Sequence, residues 1–431
     1  MDISKKKKEL EKNGVKLPRG VVQRKIKDEI VPWLKRNEII IITGARQTGK
    51  SVLLYQLIYD YLLPKTSNIF YFNLDIPHHI DFIRNQDQVI DLVNKCKGKV
   101  YVFIDEIQRL NEPGIFLKGL HDLHLPLKII VSGSSSIEIR SKVHEALTGR
   151  KVVFHVNPFD LEEMSYTMFP KEHFTEVIKN EDDFKQLLNN YLTYGGYPAV
   201  AVEKNNKMKE HILKEIFHSY IEKDIKSFLK VENERAFVNL VKILSSQIGN
   251  LVNKDELSNT LGIHKNTLEN YLFYLEQTFI LDFVRPFYKN PRKELLKNPK
   301  IYFNDLGLRN FAIASFGEFE FRADKGSLFE NFFYLCLKSK LSPAVPIHFW
   351  RTKAGAEVDF VVLNGVNPIP FEVKAANLNE LRISKSLRSF LQNYQPLKGY
   401  YFNLSLKDKT KFEKTTISFL RPQDLIDEKF I

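Results

Sequence analysis

A glycine-rich loop has the residue types and the spacing of a phosphate-binding loop. It reads Gly44-Ala45-Arg46-Gln47-Thr48-Gly49-Lys50-Ser51. Glycines let the backbone approach an anion, and the N–H groups of the loop and of the following helix point at phosphate oxygens. In this pattern the lysine reaches the β- and γ-phosphates and the serine is a ligand of Mg²⁺. The loop therefore predicts binding of ATP and Mg²⁺, with contacts from all eight residues.

Two adjacent carboxylates follow an apolar run downstream, as in a Walker B strand. The run is Lys99-Val100-Tyr101-Val102-Phe103-Ile104, and it closes on Asp105 and Glu106. We expect Asp105 to hold Mg²⁺ and Glu106 to orient and deprotonate the attacking water. The pair predicts hydrolysis of the nucleotide as well as binding.

Two further side chains could complete a hydrolytic site. The apolar segment 127–131 ends in a serine-rich stretch, where Ser134, with Ser132 as the alternative, would sense the γ-phosphate. A serine-rich helix cap explains the same residues equally well. Arg150 follows Leu147-Thr148-Gly149 and is a candidate arginine finger towards a neighbouring subunit, or simply a surface arginine.

The elements that must position these residues alternate between strand and helix. Ile39-Ile40-Ile41-Ile42 enters the loop as a buried strand, and Val52-Leu53-Leu54 leaves it as an apolar helix. The predicted fold is α/β, with an AAA-type parallel sheet, a helical lid, a winged helix and an α/β nuclease-like domain. The corresponding ranges are residues 1–155, 156–230, 231–295 and 296–431.

The segment 231–295 has the spacing of a helix–turn–helix within a winged helix. Asn253 caps a helix that stops at Gly262, and a third helix begins near Lys265. The β-rich segment 279–284 would form the wing. We expect DNA contacts from exposed polar and basic side chains, namely Lys265, Asn266, Asn270, Lys289, Arg292 and Lys293, with Lys297 and Lys300 also on phosphates. The alternative is a winged helix that serves only for domain packing.

A second group of chemical residues lies in a predicted hairpin near the C-terminus. Asn364-Gly365 predicts the turn, so that Leu363 pairs with Val366 and Asp359 opposes Pro370. In this register Glu372 lies diagonally from Asp359, and Lys374 shares its face. Glu330, on a predicted helix, is a candidate third acidic ligand. Carboxylates that hold Mg²⁺ and a lysine that acts on water suit phosphodiester cleavage. The alternative is charge pairing on a strand surface, which is common in antiparallel hairpins.

Composition limits the other function classes. The 431 residues are enough for several domains, and the two cysteines, Cys96 and Cys336, exclude a disulfide framework. A formal net charge of +12 favours a polyanionic partner. The sequence lacks a long apolar stretch and the apolar centre of a signal peptide, so we expect a cytoplasmic protein without a membrane partner.

Together these motifs resemble archaeal and bacterial AAA-type ATPases that carry a C-terminal restriction-endonuclease-like domain. The resemblance covers nearly the whole chain and includes Ile104–Gln108, Leu147–Arg150, Gly195-Gly196-Tyr197-Pro198, Glu357–Asp359 and Glu372–Lys374. It implies an ATPase module, a winged helix and a nuclease-like fold in that order, and Asp359, Glu372 and Lys374 match the nuclease pattern.

We therefore expect an ATP-hydrolysing homo-oligomer that moves a winged helix and a nuclease-like domain on DNA, with branched or broken DNA as the expected target. One alternative is a nucleotide-switched scaffold that binds protein partners. Another is an ATP-dependent endonuclease that uses Mg²⁺.

Overall fold

The computed structural model describes residues 3–133, 147–221, 225, 233–288, 294, 297–425, 428 and 430. The chain divides into two compact units. Unit 1 contains residues 1–159, 197–202 and 277–279, and unit 2 contains residues 160–196, 203–276 and 280–431.

Unit 1 is built on a sheet of five parallel strands, in the order β2-β3-β4-β1-β5. The strands are β1 (Ile39–Thr43), β2 (Ile69–Asn73), β3 (Val100–Asp105), β4 (Leu127–Gly133) and β5 (Lys151–His155). Every residue of β1 is buried, as expected for a β-branched run at the centre of a parallel sheet with both faces covered. The predicted α/β fold with an N-terminal parallel sheet is confirmed.

Helices cover this sheet and form an apolar core on each face. Ile40 and Ile42 share one core with Leu53, whereas Ile39 and Ile41 face the other. The helices are α1 (Ile3–Lys12), α2 (Ile26–Ile30), α3 (Lys50–Gln56), α4 (Pro77–Arg84), α5 (Gln86–Asn94) and α6 (Pro113–Asp122). Helix α3 starts at the P-loop lysine and continues as a π-helix over Leu57–Leu62.

Unit 2 begins with a series of helices. They are α7 (Leu161–Met168), α8 (Phe174–Val177), α9 (Glu181–Tyr194), α11 (Asn206–Ser219), α12 (Glu234–Ser246), α13 (Lys254–Leu261) and α14 (Lys265–Gln277), while α10 (Pro198–Ala201) belongs to unit 1. The predicted cap of α13 is present, because the Asn253 side chain accepts a hydrogen bond from the Glu256 N–H at 3.3 Å. Gly262, with φ +64°, ends the helix.

A buried polar group explains the double glycine that precedes Tyr197. The Asp305 carboxylate accepts hydrogen bonds from the backbone N–H of Gly196 at 2.7 Å and of Leu308 at 2.8 Å, and it caps α15 (Leu306–Ala312). A Cβ on Gly195 would lie 2.4 Å from Asp305, and one on Gly307 would lie 1.9 Å from the Tyr194 carbonyl oxygen. These glycines let α9 and α15 pack at backbone distance.

The rest of unit 2 is a mixed sheet of eight strands, in the order β12-β13-β11-β10-β9-β8-β6-β7. The strands are β6 (Leu281–Pro286), β7 (Lys300–Phe303), β8 (Ile347–Arg351), β9 (Glu357–Asn364), β10 (Asn367–Val373), β11 (Lys398–Phe402), β12 (Asp408–Phe412) and β13 (Thr415–Leu420). The segment expected to form a wing is β6. It pairs with β7 and also with β8, so it is part of this larger sheet.

Two helices pack against the sheet, α16 (Lys325–Lys340) and α17 (Lys385–Tyr394). Phe333 of α16 contacts Phe360 and Phe402, while α17 shares a core with the neighbouring residues Val361 and Tyr401. Adjacent strand residues face opposite sides of a sheet, so the sheet lies between the two helices.

The hairpin β9–β10 has a register different from the predicted one. Asn364 pairs with Asn367 and Phe360 pairs with Phe371, and the turn consists of Gly365 and Val366. Gly365 adopts φ +61° at the first turn position, whereas Val366 does not have a positive φ, so glycine stands where a type II′ turn requires it. The expectation that Asp359 opposes Pro370 was therefore wrong, because glycine occupies the first rather than the second central position.

Across the described residues, no helix has the length and apolar character needed to span a membrane.

Candidate nucleotide site and carboxylate–lysine cluster

The P-loop backbone leaves β1 in conformations that depend on glycine. Gly44 has φ +153°, and a Cβ there would lie 2.3 Å from the Val156 carbonyl oxygen. Gly49 has φ +90°, and Gln47 also has a positive φ, +61°. Substitution at Gly44 would force β1 and the segment after β5 apart.

The Lys50 ammonium lies inside the loop. It donates hydrogen bonds to the carbonyl oxygens of Gly44 at 3.0 Å and Ala45 at 2.7 Å, and only 6% of the residue is exposed. The Thr48 hydroxyl donates to the Ala45 carbonyl oxygen at 2.9 Å. Ser51 stands in the first turn of α3. The loop thus presents a cation held by neutral oxygens at a helix N-terminus, which suits a phosphate.

A buried arginine outside the motif supports the loop from the side. Arg24 donates to the carbonyl oxygens of Thr48 at 2.8 Å and Asn157 at 2.7 Å, and its guanidinium lies 4.9 Å from the centre of the Phe159 ring. Sequence reasoning missed Arg24, since 20 or more residues separate it from the loop that it contacts.

Asp105 ends β3 as predicted, and two hydroxyl groups orient its carboxylate. The Tyr71 hydroxyl on β2 donates to Oδ2 at 2.8 Å, and the Ser132 hydroxyl on β4 donates to Oδ1. The hydroxyl of Tyr55 lies 3.3 Å from that of Tyr71. Because β4 lies between β1 and β3, Ser132 stands between the P-loop strand and the Walker B strand. Ser134, the preferred sensor, lies outside the described residues.

Glu106 leaves the strand in a left-handed conformation, with φ +58°. Burial, together with the adjacent Asp105 charge, raises the pKa of its carboxyl group, whereas Lys50 and the Gln108 amide oppose the rise. A carboxylate with a raised pKa is a stronger base towards water. This environment suits the predicted role of Glu106.

Arg150 lies in an ion pair within unit 1. Its guanidinium donates to both carboxylate oxygens of Asp122, at 2.7 and 3.2 Å. To serve as a finger towards another subunit, Arg150 would have to leave Asp122. The role remains a prediction.

The corrected hairpin register brings Asp359, Glu372 and Lys374 together. The Lys374 ammonium lies 3.0 Å from Glu372 Oε1 and 3.5 Å from Asp359 Oδ2, and the Val373 N–H donates to Asp359 Oδ2 at 2.7 Å. Burial, followed by repulsion from Asp359, raises the pKa of Glu372 to about 7. Burial lowers the pKa of Lys374, but the two carboxylates outweigh it and raise that pKa overall.

Glu330 lies in an adjoining ion-pair group. Lys300 donates to Glu330 Oε1 at 3.2 Å and lies 2.6 Å from Glu357 Oε1, and the Tyr302 hydroxyl also donates to Glu330. Lys300 is 2% exposed. The expectation that Lys300 contacts DNA phosphates was therefore wrong, because the residue starts the buried strand β7. In the sequence, the available sign that Lys300 is buried was its position at the start of an apolar run.

The donor atoms of the pair Asp359–Glu372 suit a hard cation. Glu372 is 3% exposed, and its Oε2 has no hydrogen-bond partner. A buried carboxylate oxygen without a hydrogen-bond partner is of the type that binds Mg²⁺. Within the parts of the chain that the structure describes, however, no three His, Cys, Asp or Glu side chains are grouped to share a metal ion. A metal role for Glu330, Asp359 and Glu372 together remains a prediction.

The helix–turn–helix surface carries charges of both signs. Lys265 pairs with Asp255 at 2.7 Å, and Lys254 pairs with Glu269 at 2.8 Å. Asn266 and Asn270 are exposed on α14. The other predicted DNA contacts, Lys289, Arg292 and Lys293, lie outside the described residues, and Lys297 is exposed.

Three family models match this chain in succession. Residues 36–165 match an AAA domain, residues 185–318 match a domain of unknown function, DUF8612, and residues 325–420 match a second one, DUF4143. The first match spans the P-loop and Asp105. The chain thus carries an AAA-type P-loop ATPase domain, and DUF4143 assigns no activity to the region of Asp359 and Glu372.

Similar proteins occur in archaea and bacteria. The chain is 24% identical over 407 residues to the uncharacterized protein MJ1544 of Methanocaldococcus jannaschii, covering 92% of this chain and 87% of that protein. It is 27% identical over 307 residues to an uncharacterized protein of Haemophilus influenzae, covering 67% and 72%. Among solved structures, the ORC2 protein of Aeropyrum pernix aligns with 70% of this chain and 96% of its own, at 12% identity and a TM-score of 0.33.

Proposed function

We propose that this protein hydrolyses ATP at the P-loop and couples its nucleotide state to movement of the helix–turn–helix and nuclease-like regions on DNA. The observation that carries the ATPase part is the convergence of a P-loop lysine with a buried, hydroxyl-oriented Asp105 and the adjacent Glu106. The DNA part rests on the net charge of +12 and on the helix–turn–helix spacing.

Each residue of the nucleotide site has a separate role in the proposed hydrolysis of ATP. Lys50 would exchange the carbonyl oxygens of Gly44 and Ala45 for β- and γ-phosphate oxygens, because a charged partner attracts an ammonium more strongly than a neutral one. Ser51 and Asp105 would hold Mg²⁺, which neutralises charge on the phosphates. Glu106 would accept the proton of the attacking water, and Ser132 keeps Asp105 oriented.

To test the proposal, the rate of ATP hydrolysis is measured with and without linear, single-stranded and four-way-junction DNA. The wild type and Lys50→Ala are measured in parallel. Stimulation by DNA that disappears in the variant supports a DNA-directed ATPase. The ATPase part fails if Lys50→Ala hydrolyses ATP at the wild-type rate. The DNA part fails if no DNA binds or changes the rate at low salt, where phosphate contacts are strongest.

A second candidate function is a nucleotide-switched scaffold for protein partners. The ion pairs Lys265–Asp255 and Lys254–Glu269 favour it, since they reduce the positive charge on the predicted DNA-reading surface. Robust ATP hydrolysis that is indifferent to every DNA would support this function.

A third candidate is an ATP-dependent, Mg²⁺-dependent endonuclease, favoured by the orphaned Glu372 Oε2 beside Asp359 and Lys374. Nicking of plasmid DNA by the wild type, lost in both Asp359→Asn and Glu372→Gln, would support it. Nicking that persists in both variants would place the activity elsewhere.

A further inference from the structure

Unit 1 contains a basic cavity away from the P-loop. Its volume is about 630 Å³, and its walls come from α1, the turn before β2 and the segment after α5. β2 starts at Ile69 and β3 at Val100, so the cavity lies at the amino ends of these parallel strands. The P-loop follows β1 and Asp105 ends β3, so both lie at the carboxyl ends of the strands, where ligands bind in open α/β sheets. The cavity is therefore separate from the nucleotide site.

Four lysines and one glutamate supply the charges of the lining. Lys6 is buried, pairs with Glu9 at 2.7 Å and lies 4.3 Å above the centre of the Phe70 ring. It thereby anchors α1 to the sheet. The ammonium groups of the other lysines belong to exposed residues, Lys65, Lys95 and Lys97. Since Glu9 is engaged by Lys6, the rim of the cavity is positive.

Hydrogen bonds fix the two chain segments that carry these lysines. The Asn68 side chain donates to the Lys97 carbonyl oxygen at 2.7 Å, and the Tyr101 N–H donates to the Asn68 carbonyl oxygen at 2.8 Å. The N–H groups of Lys65 and Lys95 donate to the carbonyl oxygens of Leu62 and Asp91. Thr66 and Ser67 add hydroxyl groups between them. The cations therefore stand on preorganised backbone, which lowers the entropic cost of binding.

We propose that this cavity binds the phosphodiester backbone of DNA, through Lys65, Lys95 and Lys97. This proposal rests on the DNA part of the proposed function and assigns it a surface. On α13 and α14, by contrast, Lys254 and Lys265 are paired with carboxylates. Lysines that touch phosphate carry no sequence information, so binding at the cavity is independent of DNA sequence.

The test is the affinity of the full-length chain for a fluorescently labelled duplex of mixed sequence, measured by anisotropy between 50 and 200 mM salt. The variant is Lys65→Gln, Lys95→Gln and Lys97→Gln combined. The matched control combines Lys16→Gln, Lys35→Gln and Lys118→Gln, which remove three exposed lysines of the same unit that do not line the cavity. A second control replaces the three cavity lysines by arginine.

We expect the cavity variant to lose affinity by about tenfold or more at 50 mM salt, with a shallower dependence on salt, by about one unit of slope for each lost phosphate contact. The surface control should change the affinity by less than about twofold, and the arginine variant should retain it. Basal ATP hydrolysis close to wild type in all variants would show that unit 1 is folded.

Two outcomes overturn the proposal while leaving the proposed function standing. One is equal loss of affinity in the cavity variant and the surface control, which would reveal a general effect of charge. The other is wild-type affinity in the cavity variant. If the wild type binds no duplex even at 50 mM salt, the proposal and the DNA part of the proposed function both fail.

Discussion

The nucleotide site and the carboxylate–lysine cluster both place lysine ammonium groups among oxygen atoms, but the oxygens differ in charge. Lys50 is hydrogen-bonded to the backbone carbonyls of Gly44 and Ala45. Lys300 and Lys374 are paired with carboxylates, mainly Glu357 and Glu372. The carbonyl oxygens that hold Lys50 carry no net charge, whereas Lys300 and Lys374 directly contact carboxylates that belong to the protein.

This difference has a consequence for metal binding. At the nucleotide site Mg²⁺ would arrive with its phosphates and add to an existing positive field. At the cluster a divalent cation would have to compete with two buried or half-buried ammonium groups for the same carboxylates. The nucleotide site therefore favours an incoming phosphate with its metal ion, whereas a metal ion at the cluster would have to displace a lysine from its carboxylates.

The largest expected effect is on ATP hydrolysis in Lys50→Ala. Loss of the ammonium removes the charge that stabilises the phosphates, and we expect the rate to fall by about 10²–10³-fold. The measurement is release of inorganic phosphate under saturating ATP. Lys35→Ala, an exposed lysine of the same unit, is the control and should keep the wild-type rate. If Lys50→Ala hydrolysed ATP at nearly the wild-type rate, Lys50 would not be the group that stabilises the phosphates. The comparison between the two sites would then fail.

The next effect concerns Lys300→Met in the ion-pair group that adjoins the cluster. It leaves Glu330 and Glu357 without their shared counter-charge, which should destabilise the protein by about 3 kcal/mol. The measurement is thermal unfolding with and without 10 mM Mg²⁺, and Mg²⁺ should raise the Tm of the variant more than that of the wild type. Lys297→Met, an exposed lysine three residues earlier, should behave as wild type. If Mg²⁺ did not raise the Tm of Lys300→Met more than that of the wild type, the Lys300 ammonium would not occupy a position that a metal ion can take.

The two sites also differ in how far the sequence predicted them. The P-loop is contiguous, and its conformation follows from glycines and a helix start, so Gly44 to Ser51 could be assigned from the sequence alone. Asp105 was also predicted, because it ends an apolar strand. Its hydroxyl donor Tyr71 was not, since the parallel pairing of β2 with β3 brings the two together only in the fold.

The cluster shows more clearly what the sequence alone could not predict. Asp359, Glu372 and Lys374 were predicted to converge, but the choice between Asn364-Gly365 and Gly365-Val366 as the turn shifted the pairing. Lys300 was assigned to DNA, because its charge is visible in the sequence whereas its burial is not. Arg24 and Lys300 are both buried cations whose partners lie in other elements. Their burial depends on tertiary packing. Arg24 has no local signal in the sequence, and the one local signal for Lys300 is its position directly before an apolar run.

A smaller effect is expected when the hydroxyl that orients Asp105 is removed. Tyr71→Phe leaves Oδ2 without its donor, so we expect the Mg²⁺ concentration for half-maximal ATP hydrolysis to rise by about tenfold. Tyr55→Phe is a matched control, because its hydroxyl lies 3.3 Å from that of Tyr71 and reaches Asp105 only through it. A change in maximal rate alone, without a shift in the Mg²⁺ requirement, would indicate that Tyr71 does not position the Mg²⁺ ligand.

The smallest expected effect is a pH dependence of protein stability that comes from Glu372 in the cluster. Burial, followed by the Asp359 charge, raises the pKa of Glu372 to about 7 in the folded protein, above the ordinary value of 4.5. Between these values the folded state binds more protons than the unfolded state, so the stability present below pH 4.5 is lost as pH rises through 7. We expect a contribution of the order of 1 kcal/mol, or about 2–4 °C in Tm. Glu372→Gln cannot ionise and should lose that part of the pH dependence. An identical Tm profile for the wild type and Glu372→Gln from pH 5 to 8 would mean that Lys374 keeps Glu372 ionised throughout. The cluster would then be a fully formed ion pair over this pH range.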